Sequence, residues 1–284
     1  MSYDNFLTTE RRETNSYPIM HRSGIKLFRP MAQLSLGTLR GIGMRVLFLR
    51  EIWRAFKEPR TYVPHIIPQM RAIGVDSVPL TLMVAAFIGA VISLQIRYQL
   101  FPGIQLSIVG LGVRQMVVLE VGPLLTGLVL AGRVGARMTA EIGTMRVTEQ
   151  IDALETLAYD PVAYLIVPRL IAGILMLPVL TVIADITGVL SGMFAAITIT
   201  DVPLSAFVEG MRLSFDPFQV TYSLIKATMF GGAIAGLCAY EGYTTTAGAE
   251  GVGQATAKAV VVSSVAILIL DAVTALVLAP YLQG

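Results

Sequence analysis

The sequence is poor in charge, cysteine and histidine. Charged residues make up 14% of its 284 residues, against about 25% in soluble domains. Cys238 is the one cysteine, so a disulfide framework is excluded and a small buried hydrophobe is expected there. Cys238, His21 and His65 together supply too few ligands for a His/Cys metal cluster. We therefore expect neither a disulfide scaffold nor a metal site.

The sequence also lacks the motifs of nucleotide and acyl chemistry. No GxxxxGK[ST] phosphate loop occurs, and the glycine-rich stretch Gly248 to Gly253 has no lysine at the required place. A GxSxG nucleophile elbow and a His-containing nucleophile set are missing too. We therefore predict that the chain is not an enzyme and has no catalytic residue. We also expect no cofactor bound to this chain and no nucleic-acid partner.

Long apolar runs dominate what is present, and 55% of the residues are hydrophobic. About twenty apolar residues in a helix match a hydrocarbon core of about 30 Å. Five stretches meet this length: Ser77–Ile96, Arg114–Gly132, Leu170–Thr200, Pro217–Ala239 and Ala259–Leu282. The sequence predicts an all-α membrane protein with about five transmembrane helices.

Two stretches need more than an upright helix. Tyr98–Val113 contains Pro102 and three glycines, which favours a re-entrant or outer-surface connection. Leu170–Thr200 would measure about 46 Å as a helix. It must therefore tilt, project beyond the bilayer or bend near Pro178.

Charge is distributed unevenly along the chain. Residues 1–75 carry twelve of the 21 Lys and Arg but five of the 19 Asp and Glu. The positive-inside rule assigns such a segment to the cytoplasm of a bacterial inner-membrane protein, and the arginine-rich link between spans two and three agrees. Five spans then place the C-terminus in the periplasm. A merely solvated basic tail is the alternative for residues 1–75.

Three regions are expected: a polar tail at 1–23, a basic amphipathic interfacial region at 24–75 and the membrane domain at 76–284. In Leu36–Arg60, basic residues alternate with apolar ones and Trp53 at helical spacing. An N-terminal amphipathic helix lying in the cytoplasmic interface is predicted. A soluble helix packed on a partner remains open.

The link at about 138–158 shows a second amphipathic pattern, with apolar residues such as Ile142 and Ile151 on one face. A helix is predicted, and Thr139 is its candidate N-cap. Asp160 before Pro161, like Asp216 before Pro217, marks a helix start, because the carboxylate can cap free N–H groups. The link helix is either a docking surface or a plain connector.

Four predicted spans each contain an ionisable residue: Glu120, Asp185, Lys226 and Asp271. Each costs about 2.5 to 3.5 kcal/mol at a helix centre, so such groups face a cavity or one another. Glu120 and Asp271 are expected to neutralise Lys226. Binding or gating of substrate and a purely architectural ion pair are both open.

Small residues at four-residue spacing predict close helix packing in lipid. The pairs are Ala85 with Gly89, Gly188 with Gly192, and Gly232 with Gly236.

Longer motifs resemble one family. These are EVGPLLT from Glu120 to Thr126, AGRVGARMTAEIGTMRVTEQIDAL from Ala131 to Leu154, Asp160-Pro161, Val167-Pro168-Arg169, Leu177-Pro178, Lys226, GAEGVGQAT from Gly248 to Thr256, and Asp271. Over roughly Pro64 to the C-terminus, the chain resembles the MlaE/YrbE family of ABC transporter permeases. Family members often carry Arg where this chain has Leu119. An ion pair that depends on that arginine is therefore not expected in this chain.

The resemblance implies a permease that dimerises with a second copy, binds a cytoplasmic ABC ATPase with its ATP and Mg, and associates with a periplasmic MCE-domain protein. Membrane lipid, with phospholipid favoured, is the implied substrate. Glu120, Lys226, Asp271 and, by position, Asp185 are the candidate lipid-pathway or gating residues. The link becomes a coupling helix whose ATPase contacts are Glu141, Met145, Arg146, Glu149, Gln150, Asp152 and Leu154.

Two other functions stay open. An ion-coupled secondary transporter of a hydrophobic substrate would use the intramembrane carboxylates to exchange protons, although no internal repeat is evident. A non-transporting membrane scaffold is the other alternative.

Overall fold

The computed structural model describes residues 43–246 and 248–282, without the side chains of residues 279 and 282. The chain divides into two compact units, residues 1–48 and 49–284. In the first unit, residues 43–48 are helical. The expected polar tail and the start of the predicted amphipathic helix lie outside the described residues.

The second unit is built of helices. They are α1 (49–55), α2 (Pro59–Ile73), α3 (Val78–Gln99), α4 (Ser107–Met116), α5 (Gly122–Leu130), α6 (Ala136–Val147), α7 (Gln150–Thr156), α8 (Val167–Ile199), α9 (Leu204–Arg212), α10 (Phe218–Tyr243) and α11 (Gly248–Leu278). π-helical turns at Val117–Val121 and Ala131–Gly135 join α4, α5 and α6, and a third, Val162–Ile166, precedes α8.

Five helical stretches are long and apolar enough to cross a membrane, as predicted. They are Pro59–Gln99, Ser107–Val147, Val162–Ile199, Phe218–Tyr243 and Gly248–Leu278. In α1, which falls within the predicted amphipathic helix, Trp53 is 75% exposed while Ile52 is buried. Exposed aromatic residues of this kind suit a membrane surface.

The second span is longer at both ends than its sequence predicted. It begins at Ser107, so the expected connection Tyr98–Val113 is wrong for residues 107–113. Val109 and Val113 of α4 are fully buried in one apolar cluster with Phe207 of α9. This packing stabilises residues 107–113 as a helix, although their glycine content favours an irregular connection.

At its other end, the span continues without a break into the predicted coupling helix. Thr139 is therefore not an N-cap: its hydroxyl donates to the carbonyls of Gly135 and Cys238, at 3.0 and 2.9 Å. The helix ends at Val147, and Glu149 adopts a left-handed conformation with φ 59° before α7 begins. The expectation of one amphipathic helix over about 138–158 is wrong, because that left-handed residue separates two helices.

The predicted starts of spans three and four are confirmed at their caps. The Asp160 carboxylate accepts a hydrogen bond from the Val162 amide, and Asp216 accepts one from the Phe218 amide, each at 2.9 Å. α8 has 33 residues and runs through Pro178, so at about 50 Å it exceeds the hydrocarbon core. The short helix α9, between spans three and four, was not predicted.

The end of α3 is tied to the link before α9. The Arg97 guanidinium donates from Nε and Nη2 to the two carboxylate oxygens of Asp201, both at 2.6 Å. This hydrogen bonding holds the pKa of Asp201 below its usual range. The link therefore stays attached to α3 although both side chains reach solvent.

Backbones approach closely where small residues meet. A Cβ added to Gly89 of α3 would lie 2.0 Å from the Gly188 carbonyl oxygen of α8, and one on Gly192 would lie 2.9 Å from the Gly89 oxygen. The pairs Ala85–Gly89 and Gly188–Gly192 therefore form one interface, which confirms the close packing predicted for each pair. Gly232–Gly236 is not such a contact, because added Cβ atoms there meet only side chains at 3.5 Å or more. A close approach on α10 is instead found at Gly231, which faces Gly173.

We expect Gly89→Ala to lower the thermal unfolding temperature in detergent micelles. Its added methyl group must push α3 and α8 apart, an overpacking that costs about 1 to 3 kcal/mol. Gly132→Ala is the matched control, because nothing lies within 4 Å of its added Cβ. Equal unfolding temperatures for the two variants would contradict the close contact.

Candidate functional site

Three of the four intramembrane charges meet at Lys226. Lys226 lies on α10 and its side chain is fully buried. Its Nζ lies 2.7 Å from Glu120 Oε2 and 2.7 Å from Asp271 Oδ1. The ammonium also lies 4.9 Å from the ring centre of Tyr222. The predicted neutralisation of Lys226 by two carboxylates is therefore present, and it joins spans two, four and five.

The local backbone explains how Glu120 reaches Lys226. Pro123 has no N–H, so it cannot donate to the Leu119 carbonyl four residues earlier, as an α-helix requires. That stretch is a π-helical turn in which the Gly122 amide donates to the Val117 carbonyl. The Leu119 carbonyl accepts a hydrogen bond from Lys226 Nζ at 3.3 Å. A proline one turn after the glutamate was the sequence signal for this contact, and motif reading missed it.

The three charged groups differ sharply in exposure. The Glu120 side chain is 47% exposed, Asp271 is 13% exposed and Lys226 is fully buried. Glu120 lies about 20 Å along the helix from Ser107, well inside a hydrocarbon core. A half-exposed carboxylate at that depth must face water or a polar partner. The Lys226 cluster, defined as Lys226, Glu120 and Asp271, is therefore open on its Glu120 side.

Asp185 does not join this cluster. It is buried on α8, and its Oδ2 accepts a hydrogen bond from the Ser223 hydroxyl at 3.2 Å. Its Oδ1 has no hydrogen-bond partner among the residues that the structure describes. A Cβ added to Gly122 would lie 1.8 Å from that oxygen. Asp185 thus packs against the beginning of α5, where only glycine fits.

An apolar groove borders the turn that contains Glu120. It runs between α3, α5 and α8, and its lining includes Val84, Ile88, Val117, Val121, Leu125 and Val129. Val117 and Val121 belong to the same π-helical turn as Glu120. The same helical turn therefore carries both apolar side chains of the groove and the Glu120 carboxylate.

The predicted ATPase contacts fall at the junction of α6 and α7. Glu149, Gln150 and Asp152 are exposed, while Met145 and Leu154 are half-buried. Arg146 Nη1 donates to Asp152 Oδ1 at 2.6 Å, which braces α7 against the end of α6. Glu141 lies earlier, where it accepts hydrogen bonds from Arg137 at 2.8 Å and Arg169 at 3.3 Å. The exposed members therefore form a small polar surface at the left-handed turn.

Comparison with known proteins agrees with this architecture. The family model "Permease MlaE" matches residues 66–277. A probable ABC transporter permease of Rickettsia prowazekii is 40% identical over 249 residues, covering 86% of this chain and 95% of the relative. A probable ABC transporter permease of Synechocystis is 40% identical over 204 residues, which is 72% of this chain and 77% of the relative. The intermembrane phospholipid transport system permease protein MlaE of Haemophilus influenzae is 34% identical over 213 residues, or 75% and 82%. The chain therefore belongs to the MlaE permease family.

Proposed function

We propose that this permease moves phospholipid between the inner membrane and the periplasmic side, driven by a separate cytoplasmic ATPase. The supporting observation is the half-exposed Glu120 carboxylate of the Lys226 cluster beside an apolar groove. This arrangement suits an amphiphile, with a polar headgroup near Glu120 and acyl chains along the groove. The name of the Haemophilus relative, a phospholipid transport permease, favours the same substrate.

A second copy of the chain would complete the pathway. Glu120 is too exposed for a residue that faces hydrocarbon, and α11, which carries Asp271, exposes apolar side chains such as Val265 and Leu268. Burial of this surface against the same surface of a second copy would enclose the lipid between two Glu120 carboxylates. A closed two-fold dimer is the commonest arrangement for such a self-complementary patch.

The ATPase would act on the α6–α7 junction. Glu149, Gln150 and Asp152 offer the exposed polar contacts there. α6 is continuous with the helix that contains Glu120, through the stretch Ser107–Val147. Movement of α7 by ATP-driven closure of the ATPase would therefore be transmitted along one helix to the Lys226 cluster, and the groove would narrow and displace its lipid.

We assign the membrane orientation from charge. The basic N-terminal region and the arginines of α6 are assigned to the cytoplasm, and the uncharged C-terminal end to the periplasm, where an MCE-domain protein would receive or deliver the lipid.

Replacement of Glu120 by Gln distinguishes a transport role of the Lys226 cluster from a purely structural one. Lys226 keeps Asp271 as its partner at 2.7 Å, so the bundle should still fold. Transport should fall by about tenfold or more, because the charged group that faces the pathway is lost. Lipid transfer between proteoliposomes, with the ATPase present, measures the change.

The control for this variant is Glu209→Gln, which makes the same change at an exposed carboxylate of α9 outside the Lys226 cluster. If Glu120→Gln transports lipid at the wild-type rate and at normal protein levels, the Lys226 cluster has only a structural role. ATP-independent transport by the wild type would instead favour a secondary transporter.

Charge reversal at the α6–α7 junction should weaken ATPase binding. We expect Glu149→Lys and Asp152→Lys to reduce copurification of the ATPase by about tenfold, while membrane insertion stays normal. Glu209→Lys on α9, at the opposite end of the bundle, makes the same charge change and serves as the control. Undiminished copurification with both junction variants would remove the docking assignment.

Orientation can be tested independently of transport. A reporter enzyme active only in the periplasm and fused after Gly284 should be active, and the same reporter fused after residue 148 should be inactive. The reverse pattern would overturn the assigned orientation.

A further inference from the structure

A cavity lined by three arginines lies between α2, α8 and the beginning of α6 with the π-helical turn that precedes it. We propose that this arginine cavity, defined by Arg133, Arg137 and Arg169 together with Gln69, is a second ligand site that binds the phosphate group of a membrane phospholipid. It is separate from the Lys226 cluster, because Arg133 lies thirteen residues beyond Glu120, about 20 Å along the helix.

Arg169 is the strongest indication of a ligand. Its side chain is 8% exposed and lines the cavity. Nη1 donates to the Leu165 carbonyl at 2.7 Å, and Nη2 donates to Glu141 Oε2 at 3.3 Å. Nε is buried and has no partner within residues 43–246 and 248–282. A buried guanidinium with an unmatched N–H is costly unless something accepts that hydrogen bond.

Arg133 and Arg137 supply donors at the rim. Arg133 Nη1 donates to the Ser77 hydroxyl at 2.6 Å, and Arg137 Nε donates to Glu141 Oε1 at 2.8 Å. A guanidinium has five N–H donors in a fixed fork, so most donors of both remain for a ligand. The Arg137 side chain is 57% exposed, which leaves the cavity accessible. Forked N–H donors match the oxygens of a phosphate.

The charge balance favours an anion. Three guanidinium groups line the cavity against one carboxylate, that of Glu141. Asp76, which is outside the lining, also attracts Arg137. At least one positive charge therefore remains after both carboxylates are counted. A phosphate diester carries one negative charge and would balance it.

Position and lining favour a lipid over free phosphate. Arg133 lies about 39 Å along the helix from Ser107, beyond a hydrocarbon core of about 30 Å and so in the headgroup region. Ala72, Ile73, Val134 and Met138 form the apolar part of the lining, and they can cover the glycerol and upper acyl chain. On the proposed orientation, the lipid belongs to the cytoplasmic leaflet, where anionic lipids are concentrated.

Native mass spectrometry of the delipidated full-length protein in detergent tests this site. The probes are phosphatidylglycerol, diacylglycerol with the same chains, and inorganic phosphate. We expect one phosphatidylglycerol per chain to bind at least tenfold more tightly than diacylglycerol. Arg133→Gln and Arg137→Gln should each weaken that binding by about tenfold, the effect of one lost hydrogen bond to a charged group. Arg169→Gln should do the same where it folds, and the two rim variants suffice where it does not.

Arg71→Gln is the matched control, because Arg71 is exposed on α2, close in sequence to the cavity but not in its lining. It should retain wild-type binding within about twofold, whereas general attraction of lipid to a basic surface would make all arginine variants equal. Displacement of lipid by millimolar inorganic phosphate would identify free phosphate as the ligand of the same site. Equal binding of diacylglycerol, or equal loss in Arg71→Gln and Arg137→Gln, would overturn the proposal. Neither result affects the proposed transport function, which is tested at Glu120 and at the α6–α7 junction.

Discussion

The burial of one ammonium group determines how three of the five spans are arranged. Removing Lys226 from water costs several kcal/mol, and only close, well-aligned carboxylates can offset that cost. Glu120 and Asp271 come from two other spans and both lie 2.7 Å from Nζ. Spans two, four and five must therefore keep their depth and rotation relative to one another. Of the three groups, Glu120 is the one at the open side of the cluster.

The same region shows how an irregular backbone can be useful. Pro123 prevents α-helical pairing of the Leu119 carbonyl, and a π-helical turn accommodates the change. Lys226 then binds that carbonyl as well as the glutamate beside it. Irregular backbone inside a membrane is tolerated where protein groups take up its hydrogen bonds. The turn that weakens the helix is thus the turn that the buried lysine stabilises.

Features that depend on local sequence or on charge neutrality could be predicted, and features that depend on neighbours could not. Five apolar runs and the capping carboxylates of Asp160 and Asp216 are local signals, and Lys226 required anionic partners wherever it lay. The local sequence was misleading at both ends of span two, where it predicted no membrane-spanning helix. Burial against α9 keeps residues 107–113 helical, and burial against α10 and α11 does the same at the other end. Gly231 and Gly232 are adjacent in the sequence, yet only Gly231 faces another backbone, because the rotation of α10 is set by its packing.

The sign of charge along span two bears on where a phospholipid can bind. At mid-membrane, the exposed group of the Lys226 cluster is the Glu120 carboxylate, which offers hydrogen-bond acceptors to an ammonium headgroup or water. About 20 Å further along the same helix, Arg133 and Arg137 with the buried Arg169 of α8 provide the opposite charge. On the proposals made above, the arginine cavity holds the phosphate of one lipid, and the Lys226 cluster faces the headgroup of a transported lipid. A lipid at the groove beside Glu120 lacks those arginine donors, a difference that favours release over retention at mid-membrane.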